Sequence, residues 1–210
     1  AHELRTPMAS ILGYSEVILA MDFPEEQRHE MLQTIHRQSE LLVSIINELL
    51  DLARIEARGE QEFVIEKLEL HELIEHVVAG WAPPPGRDPP AIVGDSGEIW
   101  LRGDKNKLMQ AIGNVVSNAY KYSPEGGAVE LALLEDPAGN RPSGRVGIRI
   151  SDHGIGMTAA QLERICERFY RADSSGKIPG TGLGMSIVKE IVELHSGELQ
   201  FASKPGVGTS

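Results

Sequence analysis

A seam of apolar residues at heptad-like spacing constrains the fold of this chain more than any other feature of its sequence. Its members lie three, four or seven residues apart: Met31, Ile35, Leu42, Ile45, Leu49 and Leu52. This spacing predicts a long amphipathic helix that continues to about Arg58. Pro24 and the acidic residues after it suit the first turn of that helix. Residues 4–22 also carry apolar side chains at helical spacing, so the sequence predicts an N-terminal helical hairpin.

The longer helix has a second apolar stripe, which a hairpin cannot cover by itself. Leu41, Ile46 and Leu50 lie beside the seam. Pairing of two hairpins into a dimeric four-helix bundle would bury both surfaces, so we expect a homodimer. The alternative is a hairpin that packs on the rest of its own chain.

The pattern changes near residue 60, after a polar hinge at residues 59–62. The strands that we predict beyond the hinge cover residues 63–70, 98–101, 128–134, 146–151 and 198–202. The predicted helices cover residues 71–80, 104–122 and 182–195, and residues 82–97, rich in proline and glycine, predict a loop. This order indicates an α+β fold with helices on one face of a mainly antiparallel sheet. We therefore expect two domains, residues 1–60 and residues 61–210.

Composition and charge exclude several classes of function. The 210 residues carry a formal net charge of −11, which argues against nucleic acid as a partner because such binding relies on cationic contacts with phosphates. No apolar run approaches the roughly 18 to 20 residues that span a membrane, and the single cysteine suits a reducing compartment. We expect a cytoplasmic location without membrane contact in this stretch, which is compatible with an anchor elsewhere in a longer protein.

Three polar motifs are candidates for nucleotide chemistry, although each has a plain structural alternative. The run Gly180-Thr181-Gly182-Leu183-Gly184 leads into an amphipathic helix, whose N-terminal N–H groups suit phosphate oxygens, but a tight turn has the same pattern. Asp152 follows a predicted strand, where its carboxylate is either an acceptor for an exocyclic amine or the cap of a turn.

The third motif lies on the predicted helix 104–122. Asn114 and Asn118 are one helical turn apart, and Lys121 and Tyr122 follow near the same face. Amide oxygens suit Mg²⁺ and lysine suits phosphate. An exposed polar helix face is the alternative.

Together, and in this order along the chain, the motifs resemble a known family. Asn114 with Asn118, Asp152-x-Gly154-x-Gly156, Phe169-Tyr170-Arg171 and Gly180-x-Gly182-x-Gly184 are similar to the N, G1, F and G2 boxes of histidine kinase ATP-binding domains. The N-terminal His2-Glu3-Leu4-Arg5-Thr6-Pro7 resembles the H box of sensor histidine kinases of two-component systems. The resemblance implies a dimeric hairpin bundle followed by an α/β sandwich of the histidine kinase/Hsp90-like type.

The resemblance also implies ATP and Mg²⁺ as cofactors and a role for each motif. Asn118 would ligate Mg²⁺ with help from Asn114, and Asp152 would read adenine within its glycine motif. Phosphates or ribose would contact Lys121, Tyr122 and Arg171. The remaining cofactor-binding residues that it implies are Gly154, Gly156, Gly180, Thr181, Gly182, Leu183 and Gly184. Residues 157–179 would form a mobile lid over the nucleotide.

The H box implies that His2 accepts the γ-phosphoryl group. Glu3 can take a proton from one ring nitrogen and leave the other as the nucleophile. Pro7 cannot donate to the carbonyl of Glu3, so we expect a helix kink there. The resemblance also implies that Thr6 helps to orient a water that removes phosphate from an aspartate of the partner protein, which makes phosphatase activity a second hypothesis for Glu3 and Thr6. The implied protein partner is the receiver domain of a response regulator, which accepts the phosphoryl group on an aspartate.

Two alternative functions use the same nucleotide fold. Clamp-type ATPases typically carry a glutamate as hydrolytic base four residues before the Mg²⁺ asparagine, where this chain has Asn114. An amide cannot deprotonate water, so transfer to histidine is favoured over hydrolysis. The other alternative is a catalytically silent dimer that binds nucleotide without turnover. It is disfavoured because all the motifs that catalysis requires are present.

Overall fold

The structure is a computed structural model, which describes residues 2–58, 63–94, 97–135, 146–173, 178 and 180–210. The predicted hinge at residues 59–62 and the Ser174-Ser175-Gly176 part of the predicted lid lie outside these residues. The side chains of His2 and Glu3 also lie outside the description, although their backbone belongs to the first helix.

The N-terminal part is the predicted hairpin of two helices. Helix α1 covers His2–Ala20 and helix α2 covers Glu25–Arg58. Helix α2 begins after Pro24, whose carbonyl accepts the Arg28 N–H at 3.0 Å, and its first turn is acidic. Pro7 lies inside α1, which continues on both sides of it; the expected kink stays a prediction.

In its described residues, the second part combines short strands with further helices. The strands are β1 (Glu66–Glu69), β2 (Ala91–Val93), β3 (Trp100–Gly103), β4 (Glu130–Glu135), β5 (Val146–Ser151), β6 (Ser203–Lys204) and β7 (Gly208–Thr209). The helices are α3 (Leu70–Ala79), α4 (Lys105–Lys121), α5 (Ala159–Leu162) and α6 (Gly184–Leu194). Strands β1 and β3 pair antiparallel, β4 lies between parallel β2 and antiparallel β5, and β6 pairs antiparallel with β7. The predicted α+β class and the helical hairpin are confirmed.

Several predicted boundaries differ from the structure. The predicted loop 82–97 contains β2, because Ile92 and its neighbours pair with β4 far along the chain. The predicted strand 63–70 is shorter, since α3 already begins at Leu70. The predicted final strand 198–202 is wrong: the ladder forms at Ser203–Lys204, and only Ala202 adds a flanking pair of backbone hydrogen bonds with Ser210.

The main core lies between the β2-β4-β5 sheet and helices α3 and α4. Ile74, Val116 and Leu131 are fully buried there. Helix α4 starts at the buried cap Asp104, whose Oδ1 accepts the Lys107 N–H at 3.0 Å. The apolar face of α4 is thus fixed on the sheet, and its opposite face is directed away from that core.

A second core joins the hairpin to helix α6. Ile45, Leu52 and Ile55 of α2 are buried against Leu183 and Ile187. The seam therefore packs partly on its own chain, as the alternative interpretation held. Ile46 and Leu50 of the second stripe remain 44% and 50% exposed, which leaves a surface for the proposed dimer. None of the helices in the described parts of the chain is both long and apolar enough to cross a membrane.

Candidate nucleotide-binding site

A cleft opens between helix α4 and the glycine-rich loop that precedes α6. The space between its lining residues is about 630 Å³, a figure that includes open solvent at the mouth of the cleft. The predicted site residues that line it are Asn114, Asn118, Lys121, Tyr122, Arg171, Gly180, Thr181, Gly182 and Gly184. The structure therefore brings together the first, third and fourth of the four motifs.

Helix α4 presents its polar face to the cleft. Asn114, Ser117, Asn118 and Lys121 recur at helical spacing along this face. On the other side Ile112 and Val116 are buried in the main core. This division of the helix explains why the two asparagines stand side by side in the cleft rather than pointing into bulk solvent.

The glycine-rich loop is shaped by a close backbone approach. Gly182 has φ +74°, and a Cβ at this position would lie 2.7 Å from the backbone carbon of Phe169. The Phe169 N–H donates to the Gly182 carbonyl at 2.8 Å. Phe169 itself has φ 63°. The F-box residue therefore fixes the glycine loop, and only glycine fits this position without strain.

Two other residues of the loop have different environments. Leu183 was predicted among the cofactor-binding residues, and its side chain is fully buried in the second core, where it anchors the start of α6. Thr181 lines the cleft. Its Oγ1 accepts the Leu183 N–H at 3.2 Å and donates to the carboxylate of Glu48.

Asp152 lies next to the cleft, on the loop that leaves β5, and is not among the residues that line it. Its Oδ1 accepts the N–H groups of Gly154 at 2.7 Å and Thr209 at 3.3 Å. Burial raises the pKa of the Asp152 carboxyl, while these two N–H groups and the nearby His153 act in the opposite direction. A half-buried carboxyl at a strand end can accept a hydrogen bond from an amine.

Tyr122 connects the Asp152 loop to the cleft. Its carbonyl accepts the Ile155 N–H at 2.9 Å, and a Cβ on Gly154 would lie only 2.1 Å from that oxygen. A Cβ on Gly156 would lie only 2.0 Å from the carbonyl oxygen of Lys204. The two glycines of this motif therefore allow close packing of backbones and are not themselves cleft residues.

Two cationic residues, Lys121 and Arg171, line the cleft. Arg171 donates to the Ile178 carbonyl, and its Nε is buried with no hydrogen-bond partner among the described residues. The pKa of the Tyr122 hydroxyl is raised, first by burial and also by the nearby Asp173, while the Arg171 guanidinium offsets part of the shift. Lys121 is exposed at the end of α4. Arg171 and Lys121 thus offer positive charge and free donors to an anionic ligand.

The hairpin contributes a cleft residue that the sequence did not predict. Glu48 of α2 lines the cleft beside Thr181. Two more contacts join α2 to the second part of the chain: Asp51 accepts from Gln110 at 2.9 Å, and Glu56 pairs with Arg168. These contacts span long stretches of sequence, so helical periodicity gave no signal for them.

The first turn of α1 lies at the same junction. Leu4 packs against the core formed by Ile45, Leu52 and Leu183. Thr6, predicted as catalytic, is exposed on α1. The helix that carries His2 and Glu3 therefore begins next to the core that supports the glycine loop.

The residues of the cleft fit a nucleotide with its metal ion. Mg²⁺ keeps several waters and needs few protein ligands besides phosphate oxygens, and the amide oxygens of Asn114 and Asn118 can supply those. Among the described residues, no group of three or more His, Cys, Asp or Glu side chains could hold a metal by itself. The donor set therefore suits a metal that arrives bound to phosphates.

Fold and cleft together define a nucleotide-binding domain attached to a helical hairpin, and comparison with known families identifies both parts. The family of histidine kinase-, DNA gyrase B- and HSP90-like ATPases matches residues 103–210. The His Kinase A (phospho-acceptor) domain matches residues 1–58. The chain belongs to this ATPase family and, with both domains in this order, to the sensor histidine kinases.

Curated relatives and solved structures agree with this assignment. The sensor protein kinase WalK of Staphylococcus aureus is 33% identical over 217 residues, which cover 100% of this chain and 50% of that protein. The same kinase from strain JH9 is 33% identical, and the match covers 34% of its length. The chain thus spans between a third and a half of the length of these relatives.

Among solved structures, histidine kinase ThkA in complex with response regulator protein TrrA has a TM-score of 0.72 at 19% identity, covering 100% of this chain and 57% of that one. Full-length ShkA in complex with AMPPNP has a TM-score of 0.64 at 25% identity, covering 99% of this chain and 42% of that one. Acinetobacter baumannii histidine kinase AdeS has a TM-score of 0.66 at 21% identity, covering 100% of this chain and 94% of that one.

Proposed function

We propose that this chain is the catalytic core of a sensor histidine kinase, which transfers the γ-phosphoryl group of ATP to His2 and then to an aspartate of a response regulator. One observation carries the proposal. Leu4, in the first turn of α1, packs in the same core as Leu183 of the glycine loop. The first turn of the helix that bears the proposed phosphoacceptor and the end of the glycine loop therefore pack against one core within one chain.

The cleft residues divide the work of holding ATP. Asn118, with Asn114, would ligate Mg²⁺, and Lys121 and Arg171 would neutralise phosphate charge. When bound between these residues and the phosphates, the metal would supply positive charge that stabilises phosphoryl transfer. Asp152 would accept a hydrogen bond from the adenine amine. The AMPPNP complex of ShkA supports a nucleotide in this fold. Catalysis then depends mainly on positioning and charge neutralisation.

The hairpin would supply the acceptor and the proton relay. Glu3, next to His2, would take the proton from one ring nitrogen and leave the other to attack phosphorus. The ATPase part must then swing until the γ-phosphorus lies in line with His2. Thr6, exposed on α1, is available to orient a water for a second, phosphatase activity toward the phosphorylated regulator.

We further propose a homodimer in which two hairpins pair, and a boundary between the domains near residue 60. The phospho-acceptor domain match supports dimerisation, and the exposed stripe of Ile46 and Leu50 offers the apolar surface for it. We place the receiver domain of the regulator against exposed residues of α1, and the whole core in the cytoplasm.

A clamp-type ATPase is the competing function, and the cleft disfavours it. Asn114 lines the cleft one turn before Asn118, at the position where the clamp enzymes have the glutamate that acts as their hydrolytic base. The one carboxylate that lines the cleft in the described residues, that of Glu48, comes from the hairpin and accepts hydrogen bonds from two hydroxyl groups. Water would therefore lack a base on α4.

Labelling with γ-labelled ATP and Mg²⁺ tests the proposal. We expect label that is stable in alkali and lost in acid, as a phosphorus–nitrogen bond requires. Asn118→Ala should abolish labelling while the circular dichroism spectrum and the unfolding midpoint stay close to wild type, because the residue is on the cleft face of α4, away from the main core. Acid-stable label, or unchanged labelling of Asn118→Ala, would contradict the assignment.

A further inference from the structure

The carboxylate of Glu48 is held in the wall of the cleft from both sides. Its Oε1 accepts from the Ser44 hydroxyl at 2.8 Å, and its Oε2 accepts from the Thr181 hydroxyl. Glu48 is half-buried and lines the same cleft as Asn114 and Asn118. With both oxygens engaged, the negative charge stays at the cleft instead of moving freely in solvent.

Thr181 links this charge to the start of helix α6. Its Oγ1 accepts the Leu183 N–H at 3.2 Å, one residue before α6 begins at Gly184. The Glu48 carboxylate therefore lies one hydroxyl group away from a helix N-terminus. The positive N-terminal end of a helix stabilises an anion. Here the hairpin supplies an anion, the Glu48 carboxylate, at the N-terminus of α6, where the proposed function also places the nucleotide phosphates.

The charge is present only while the hairpin is docked. Buried Ile45, Leu52 and Ile55 hold α2 against α6, and Asp51 and Glu56 add polar contacts on the same side of α2. A ligand that repels the Glu48 carboxylate must therefore either bind more weakly or separate α2 from the ATPase part.

We propose that Glu48 is a specificity-determining residue for the nucleotide: its charge makes the docked arrangement accept a nucleoside diphosphate and oppose a nucleoside triphosphate. The additional negative charge of a triphosphate then favours release of the hairpin, and loss of the γ-phosphoryl group allows the hairpin to dock again. This inference rests on the proposed nucleotide site and adds a role that the kinase motifs do not contain.

Isothermal titration calorimetry of the whole chain with Mg²⁺ and either ADP or AMPPNP tests it. Glu48→Gln removes the charge, and its amide oxygen still accepts from Thr181. Asp51→Asn is the matched control: it removes a carboxylate three residues away on α2 that contacts Gln110 and does not line the cleft. We expect Glu48→Gln to tighten AMPPNP binding about three- to tenfold and to change ADP binding less than about twofold, since a close like charge is removed. Asp51→Asn should leave the ratio of the two affinities unchanged.

Three results would overturn the inference while nucleotide binding itself stands. The first is that Glu48→Gln changes the affinities for ADP and AMPPNP equally. The second is that Asp51→Asn shifts the ratio of the two affinities as much as Glu48→Gln does. The third is that Glu48→Gln weakens AMPPNP binding, which would mean that Glu48 supports the triphosphate. Absence of binding by wild type would instead contradict the proposed function. Hydrogen exchange adds a second measurement: exchange of residues 45–55 should rise with AMPPNP and not with ADP, and equal exchange with both would also overturn the inference.

Discussion

The position of Asp152 is unfavourable for an ionised carboxylate, so the stability of the fold does not explain why an acidic residue is present there. Burial raises the pKa of its carboxyl above the ordinary value, so the ionised form is disfavoured in the folded chain. Two backbone N–H groups, of Gly154 and Thr209, partly offset this cost. A carboxyl kept in an unfavourable place next to a cleft is typical of a residue selected for binding.

Replacement of Asp152 by asparagine separates the two effects. The folded chain holds the Asp152 proton more tightly than the unfolded chain, so wild type loses stability relative to Asp152→Asn as pH rises from about 3.9 through the raised pKa. Above that pH the variant should be at least as stable as wild type in urea unfolding. Its affinity for ADP should nevertheless fall about tenfold or more, because a charge-assisted acceptor is lost. A variant that is less stable at neutral pH and binds ADP normally would contradict the role in binding.

At the scale of elements, the sequence predicted the helices better than the strands. The backbone hydrogen bonds of α2 and α4 join residues four apart, so both helices could be predicted from the spacing of apolar residues in short stretches of sequence. Strand β2 is three residues long and exists because it pairs with β4 across a long stretch of chain. The final ladder has the same property, since Ser203 pairs with Thr209 around a turn that contains Gly206 at φ +75°. Pairing of this kind leaves little trace in a single sequence.

The glycines of the cleft allow an element-scale prediction. Gly182→Ala should lower the free energy of unfolding by about 1–3 kcal/mol, because the residue has positive φ and the new Cβ would meet the Phe169 backbone. Gly113 of α4 is the control, since a Cβ there has nothing within 4 Å. Gly113→Ala should raise the free energy of unfolding by about 0.5–1 kcal/mol. Chemical denaturation measures both, and equal effects of the two substitutions would show that the approach to Phe169 does not constrain the loop.

At the scale of the whole molecule, the motifs predicted many of the cleft residues but did not predict where the hairpin packs on the ATPase part. The order of the four motifs was enough to predict Asn114, Asn118 and Arg171 as neighbours, and the structure brings them into one cleft. Glu48 and Thr181 are 133 residues apart in sequence, and their contact follows from packing of α2 on α6. The seam of α2 predicted an apolar surface, but periodicity does not distinguish a second hairpin from the chain's own ATPase part.

The central claim is that the nucleotide cleft phosphorylates the head of α1, and the phosphorylated residue tests it most directly. The chain should be incubated with γ-labelled ATP and Mg²⁺ as wild type, as His2→Ala, and as His29→Ala, a control in the exposed first part of α2. We predict that His2→Ala loses the acid-labile label and that His29→Ala keeps it at the wild-type level. Acid-labile label that survives His2→Ala would contradict the account.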